Sequence, residues 1–268
     1  HPDRLRRLVA AAEAADADLV ADDLLVFDDD RRSPPRRLLR GALATTPSWI
    51  DARQYLRANR IFARTAPLGY LKPLIRREIL NAWRIRYAED LPIAEDYDLV
   101  LRLLMRGARF RLVPELLYFY RRHGGSISHR LSPAALHAMV GADARMRAWA
   151  GADAVAPLRA ALDARLASIR VAAAAELAIA ELKARRPHAA LAALAQQPRA
   201  AAIVARLAAP GRLMARLRPA RPAVAPMGIA TFSFNLEFGW LPRFPVIEKV
   251  RALQQAGAVE EMEALAIL

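Results

Sequence analysis

The sequence predicts an α/β fold followed by an α-helical appendage, on three observations. A helical stretch opening at Pro2 leads straight into a strand-like run, Asp18-Leu-Val-Ala-Asp-Asp-Leu-Leu-Val-Phe27. A strongly periodic helix over 96–106 is followed at once by two β-rich stretches. From Pro133 onward the composition turns to Ala, Leu and Arg with helical spacing alone. Length and composition agree with this. At 268 residues, 55% hydrophobic and 25% charged, the chain can bury a core and is no disordered tail. Without cysteine it is neither a disulfide scaffold nor a zinc-cysteine module.

Taken in order, Pro2-Asp3-Arg4-Leu5 with Leu8, Val9 and Ala12 reads as a helix with Pro in its first turn and Asp near its positive end. Asp18–Phe27 reads as a buried strand, and Asp28–Pro35 as a polar turn. Ser48–Asn59 fits a helix capped by Ser48, and Gly69–Ile75 a short strand or loop leading into a helix at Arg76–Asn81. Asp96–Arg106 places Leu99, Val100, Leu103 and Leu104 on one face, with acidic residues at its start, Arg in its last turn and Gly107 as its stop. Arg109–Val113 and Leu116–Tyr120 are two strand candidates hinged at Pro114, running into the polar loop Arg121-Arg-His-Gly-Gly-Ser-Ile-Ser128.

The helical part over 131–217 breaks near Pro157, Pro187, Pro198 and Pro210. The Pro-rich 218–226 reads as a linker. Over 227–268, a period-two strand pattern around Phe232–Phe238 and an amphipathic helix over Val246–Leu265 form an extension of unassigned role. The expected division is therefore 1–130, 131–217, 218–226 and 227–268.

The net charge of +14 invites a nucleic-acid reading, yet it is spread as +8 over 1–150, +8 over 151–221 and −2 over 222–268. No helix-turn-helix, zinc-finger or ribonucleoprotein signature accompanies it, and no basic stripe is interleaved with aromatics. A general affinity for phosphates or anionic lipid reads the charge better. No signal-peptide pattern follows His1, and the chain reads as an internal fragment. Its most apolar helical stretch, Val171–Leu182, carries Glu176 and Glu181, so no segment is expected to cross a membrane.

Chemistry is expected at Ala94-Glu95-Asp96-Tyr97-Asp98, where a loop enters a helix. Helix amides favour an ionised carboxylate there, which suits a general base, although helix starts also carry Asp and Glu for capping alone. About 25 residues on comes a basic, Gly-rich loop with Arg122 and His123. A carboxylate and a cationic loop in that order suit a nucleotide-sugar donor, one activating an acceptor hydroxyl and the other facing the diphosphate. Glu89-Asp90 imitates the acidic pair but precedes the helical periodicity, and Asp28-Asp-Asp30 reads as a solvated loop rather than a cation site. His137 and His188 read as surface or packing residues, and Ser126 and Ser128 as loop hydrogen-bonding groups.

The ordered set His1-Pro-Asp-Arg-Leu5, Ala17-Asp-Leu-Val-Ala-Asp-Asp23, Gly69-Tyr-Leu-Lys-Pro-Leu-Ile-Arg-Arg-Glu78, Glu95-Asp96 and Tyr120–Ser126 resembles the family 2 glycosyltransferases of GT-A fold. Within them it looks most like bacterial exopolysaccharide enzymes of the succinoglycan type. The resemblance covers 1–130 and, more loosely, the helices to 217. It implies the acceptor-side, C-terminal half of a GT-A domain in a hexosyltransferase, with Asp96 as the base for inverting transfer and Glu95 orienting the acceptor or the base. Arg122 and His123 would face the donor diphosphate, with His123 near the metal. It further implies Mn²⁺ or Mg²⁺ in the full-length enzyme, held by an Asp-x-Asp motif that this chain lacks. The implied partners are a nucleotide-sugar donor and a polysaccharide or lipid-linked acceptor, with no nucleic acid. The implied location is cytoplasmic, peripheral at the inner membrane face. Without its nucleotide-binding half the chain is expected to be inactive. The rival from another class is a non-enzymatic Arg-rich helical module that binds nucleic acid or an anionic membrane surface.

Overall fold

A computed structural model describes residues 1–28, 34–122, 132–151 and 155–207. Helix α1 (Arg4–Ala15) ends at Asp16, whose left-handed backbone (φ 47°) returns its N–H to the carbonyls of Ala12 and Glu13. The chain then enters β1 (Leu19–Asp28), which carries the apolar run and reaches Asp28. Around β1 a five-stranded mixed sheet assembles. β2 (Arg36–Arg37) and β4 (Leu74–Ile75) pair antiparallel with opposite ends of β1. On its other side β1 runs parallel to β5 (Phe110–Arg122), and β3 (Ser48–Ile50) closes that edge antiparallel to β5. The parallel neighbours are joined through helices, the crossover that parallel pairing requires.

Two expectations change here. Ser48 does not cap a helix: Ser48–Ile50 is a strand paired with Phe110–Leu112, and α2 starts at Ala52. The β-prone Trp49 and Ile50 gain ladder partners on β5. Asp51 takes the capping role, its carboxylate accepting from the Gln54 backbone N–H at 2.6 Å while the Asp51 backbone N–H donates to Gln54 Oε1 at 3.0 Å. Nor does Pro114 divide two strands. β5 is continuous through it, but the register with β1 slips between Ala21/Leu112 and Leu24/Tyr118. A residue with no N–H fits a position where the ladder is interrupted.

That slip also resets which face of β1 looks where. Leu19 and Ala21 join the main core, as do Leu24 and Val26, so the alternation changes parity across Asp22-Asp23. Val20 points the other way, against Leu8 of α1 and Val113. On the main-core face lie α2 (Ala52–Ala58), the short α3 (Arg77–Ala82) and α4 (Glu95–Met105), contributing Tyr55, Leu56, Leu80, Leu99, Val100 and Leu103. Each fully buried Leu or Phe there contributes roughly 1.5–3 kcal/mol. α4 ends as predicted: Gly107 takes φ 93°, and Ala108 N–H reaches back to the Leu103 carbonyl at 3.1 Å.

The helices after the loop are α5 (Pro133–Trp149), α6 (Ala156–Lys183), α7 (Pro187–Gln196) and α8 (Pro198–Leu207). The prolines at 133, 157, 187 and 198 each stand in a first turn, where no helical N–H is missed. Met146 of α5 and Ala161 and Leu162 of α6 enter the main core, whereas the far half of α6 builds a small alanine-rich cluster with α7 and α8. Among the described residues no helix is long and apolar enough to cross a membrane. Pro210, the 218–226 linker and the 227–268 extension lie outside the described residues, as do Ser126 and Ser128.

Candidate functional site

The start of α4 carries three carboxylates, and the fold gives each a different partner. The preceding residue, Ala94, is held left-handed (φ 71°) and has no capping side chain. Glu95 accepts from its own backbone amide; burial first, and then the neighbouring Asp96 charge, push its carboxyl above the usual range. Asp98, almost wholly buried, pairs with Arg102 one turn on at 2.7 Å. Asp96 is the one held by donors from outside α4. Lys72 Nζ donates to its Oδ2 at 2.5 Å, and the Tyr87 hydroxyl to its Oδ1 at 3.1 Å.

Its side chain remains 26% exposed. A carboxylate offers about four lone-pair sites, so with two donors fixing its plane it can still accept from a third group. Both donors respond to it. Burial would lower the Lys72 pKa, but the charge and hydrogen bond of Asp96 outweigh it and the net direction is up. The Tyr87 hydroxyl is held far above its ordinary value, by burial first and by Asp96 second.

Lys72 is placed from both sides of its loop. Before it, the turn at Leu68–Tyr70 docks through Gly69, whose N–H donates to Asn59 Oδ1 at 2.7 Å. Asn59 in turn donates to the Tyr55 carbonyl at 2.8 Å, tying the turn to α2. Behind it, Arg4 of α1 donates through Nη2 to the Lys72 carbonyl. The same guanidinium binds Asp22 Oδ1 through Nε at 2.9 Å and Nη2 at 2.7 Å and lies over the Tyr118 ring. Asp22 is fully buried, and its second oxygen has no partner among the described residues. Beside it, Asp23 is fully buried and satisfied, accepting from the amides of Leu24 and Leu39 and from Arg37 Nε. The two aspartates in an otherwise apolar strand are thus anchors for α1 and for the segment after β1.

At the far end of the sheet, Arg122 at the end of β5 faces Asp28 at the end of β1 and donates to it through Nε at 2.7 Å. Asp28 is therefore the terminal strand residue, 17% exposed and ion-paired, not part of a solvated loop as its sequence setting suggested. Asp29, Asp30 and His123 lie outside the described residues. Tyr70 connects the two ends: it packs edge-on to Tyr120 at 6.2 Å and feels the charges of both Lys72 and Arg122. The described part of the site is a succession of side chains from Asp96 through Lys72 and Tyr70 towards Arg122.

Glu89 and Asp90 stay in the loop before α4, and Asp90 pairs with Arg145 at 2.8 Å. His137 and His188 are exposed on α5 and α7. Among the described residues no three His, Asp or Glu side chains converge to hold a metal ion, so no chemical step is drawn through one. Sequence reasoning missed Lys72 and Tyr87 as partners of Asp96. A signal existed for the first: Lys72 is one of three lysines in a chain whose other basic residues, histidine aside, are all arginine.

No protein-family model matches the chain. It is 36% identical over 142 residues, 53% of its length, to "Succinoglycan biosynthesis protein ExoO" of Rhizobium meliloti (strain 1021), and covers 40% of that protein. It is also 34% identical over 113 residues, 41% of its length, to "Succinoglycan biosynthesis protein ExoU" of the same organism, covering 33% of it. The chain thus spans two-fifths or less of the curated relatives it matches.

Proposed function

We propose that the chain is the acceptor-side part of an inverting glycosyltransferase of exopolysaccharide synthesis, with a GT-A type fold and Asp96 as its general base. The observation that carries this is the Asp96 carboxylate, fixed by Lys72 and Tyr87, partly exposed and with lone pairs to spare. The names of the two relatives support the exopolysaccharide setting, and the α/β fold is compatible with the family resemblance.

In this reading Asp96 takes the proton of an acceptor hydroxyl as that oxygen bonds to the anomeric carbon of the donor sugar. The bond from that carbon to the diphosphate oxygen breaks on the opposite face, and the nucleoside diphosphate leaves with the electron pair. Glu95, raised in pKa beside the base, orients the acceptor or the base. Arg122 and His123 face the diphosphate, Arg122 exchanging its bond to Asp28 for one to phosphate oxygen. In this reading a divalent cation would be held in the donor-binding part of the enzyme, where it would offset the charge of the diphosphate. The work is done at the cytoplasmic side, at the membrane face where a lipid-linked acceptor would be met. Arg4, Arg102 and Arg165 are paired with buried aspartates, which takes them out of the surface that a basic nucleic-acid module would offer and supports the enzyme reading.

The test is Asp96→Asn in the protein joined to its donor-binding half. Transfer should fall by about 10²–10⁴-fold with donor affinity and the folded state retained. Normal turnover by that variant would remove Asp96 from the role.

A further inference from the structure

A cleft separate from Asp96 lies on the back of α4. Asp98 is two residues beyond Asp96, about 200° around the helix, and it lines a cleft of about 550 Å³ between the 83–90 loop, α4 and α5. That volume is in the range of small-molecule sites. Its walls combine two kinds of group. Trp83 and Trp149 supply indole surface, and Trp149 is 50% exposed although it is among the largest apolar side chains of the chain. Arg84, Arg102, Arg106 and Arg145 supply guanidinium groups against only two carboxylates, Asp90 and Asp98.

The arginines are not equivalent. Arg102 is committed to Asp98 and to the Arg86 carbonyl. Arg106 is held in place, with Nη1 donating to the Trp83 carbonyl at 3.0 Å and its guanidinium 5.7 Å from the centre of the Trp149 ring. A guanidinium has five N–H donors, so this anchoring leaves most of them free to bind a ligand. Arg84 sits in the left-handed region at φ 51°, a conformation that costs a non-glycine residue energy and that turns are seldom built on without Gly or Asn. An indole face stacks on the apolar face of a pyranose ring, and a pre-oriented guanidinium fork matches an oxyanion in two-point fashion.

We propose that this cleft binds an acidic saccharide, one ring on Trp149 and its carboxylate or phosphate on Arg84 and Arg106. The cleft and Asp96 share the 83–90 loop: Tyr87 faces Asp96 while Ile85 and Ala88 face the cleft. The choice of a saccharide rests on the glycosyl-transfer reading, and the acidic preference rests on the arginines alone.

The test is tryptophan fluorescence of the 268-residue chain titrated with tetragalacturonate, maltose 1-phosphate and neutral maltotetraose. Binding of either acidic sugar, with no saturable change from the neutral one, is the expected result, and the better of the two acids identifies the oxyanion. Trp149→Ala and Arg84→Ala, both at exposed positions, should each weaken that binding by about tenfold with the circular dichroism unchanged. Equal binding of the neutral sugar, no binding of either acid, or full affinity in both variants would each overturn the proposal. Asp96→Asn should leave this binding unchanged. If transfer fails to depend on Asp96 while acidic-sugar binding persists, the catalytic reading has failed and the cleft has not.

Discussion

The Lys72 ammonium lies 2.5 Å from Asp96 Oδ2, joining the start of α4 to a loop 24 residues earlier in the chain. The contact sets the plane of the carboxylate, because the Tyr87 bond to the other oxygen is longer, at 3.1 Å. Replacing Lys72 by Met should therefore lower kcat for transfer by about tenfold, the equivalent of about 1.4 kcal/mol of lost orientation, with the donor KM unchanged. The loss should be smaller than that of Asp96→Asn, since a misplaced base still accepts protons. Initial-rate measurements on the two variants side by side check this; an equal loss would make Lys72 more than a positioning residue.

The same pair leaves a mark on stability. The folded Lys72 titrates above its ordinary value of 10.5: burial pulls it down, and Asp96 more than reverses that. A cation whose folded pKa is raised contributes stability that is fully present below its unfolded value and is lost as pH rises through the folded one. Denaturant unfolding should thus find Lys72→Met less stable than the parent at neutral pH, with the gap constant to about pH 10 and closing above it. A gap that narrowed between pH 6 and 9 would contradict the pairing.

Much of this architecture was legible in the sequence. The period-3.6 spacing of Leu99, Val100, Leu103 and Leu104 with a stop at Gly107 defined α4, and the prolines at 157, 187 and 198 marked three helix starts. Such signals are local, carried by a single helix and its caps. What was not legible is decided by partners far along the chain. Ser48–Ile50 became a strand because Phe110–Leu112 lies beside it, and Asp22 and Asp23 could enter an apolar strand only because Arg4 and Arg37 meet them. In the site, Glu95-Asp96 was visible as a pair, yet which carboxylate faces outward depends on Lys72 and Tyr87, and no spacing within the helix reveals them.

Gly69 is a second lever on the Lys72 loop. A Cβ placed there would stand 2.9 Å from Asn59 Oδ1 and 3.3 Å from Tyr97 Cβ, so the side-chain amide that receives the Gly69 N–H would have to move. Asn59 is itself buried and bound to α2, which leaves little room for it to yield. Gly69→Ala should cost about 1–3 kcal/mol in denaturant unfolding, the usual range for overpacking. Transfer should fall as well, because the displaced turn carries Lys72. A Tm within a degree of the parent would show that the turn relaxes freely.

A buried charged pair lies where α5 and α6 pack against α4. Asp143 of α5 accepts from the Tyr97 hydroxyl at 3.1 Å and lies 3.6 Å from Arg165 of α6, whose guanidinium covers the Tyr97 ring at 4.5 Å. Both charged residues are under 5% exposed, yet Asp143 Oδ2 and Arg165 Nε and Nη1 have no hydrogen-bond partner among the described residues. Such a pair is worth little in itself, because desolvation offsets the attraction, but losing one member strands the other. Asp143→Asn, which keeps an acceptor for Tyr97 while leaving Arg165 uncompensated, should therefore destabilise by about 3 kcal/mol. The double variant Asp143→Leu with Arg165→Met should be destabilised less than that single change, because no buried charge remains. A double variant as unstable as the sum of its two single changes would mean that Asp143 and Arg165 are not energetically coupled, the docking of α5 and α6 then resting on the surrounding packing of Met146, Ala161 and Leu162.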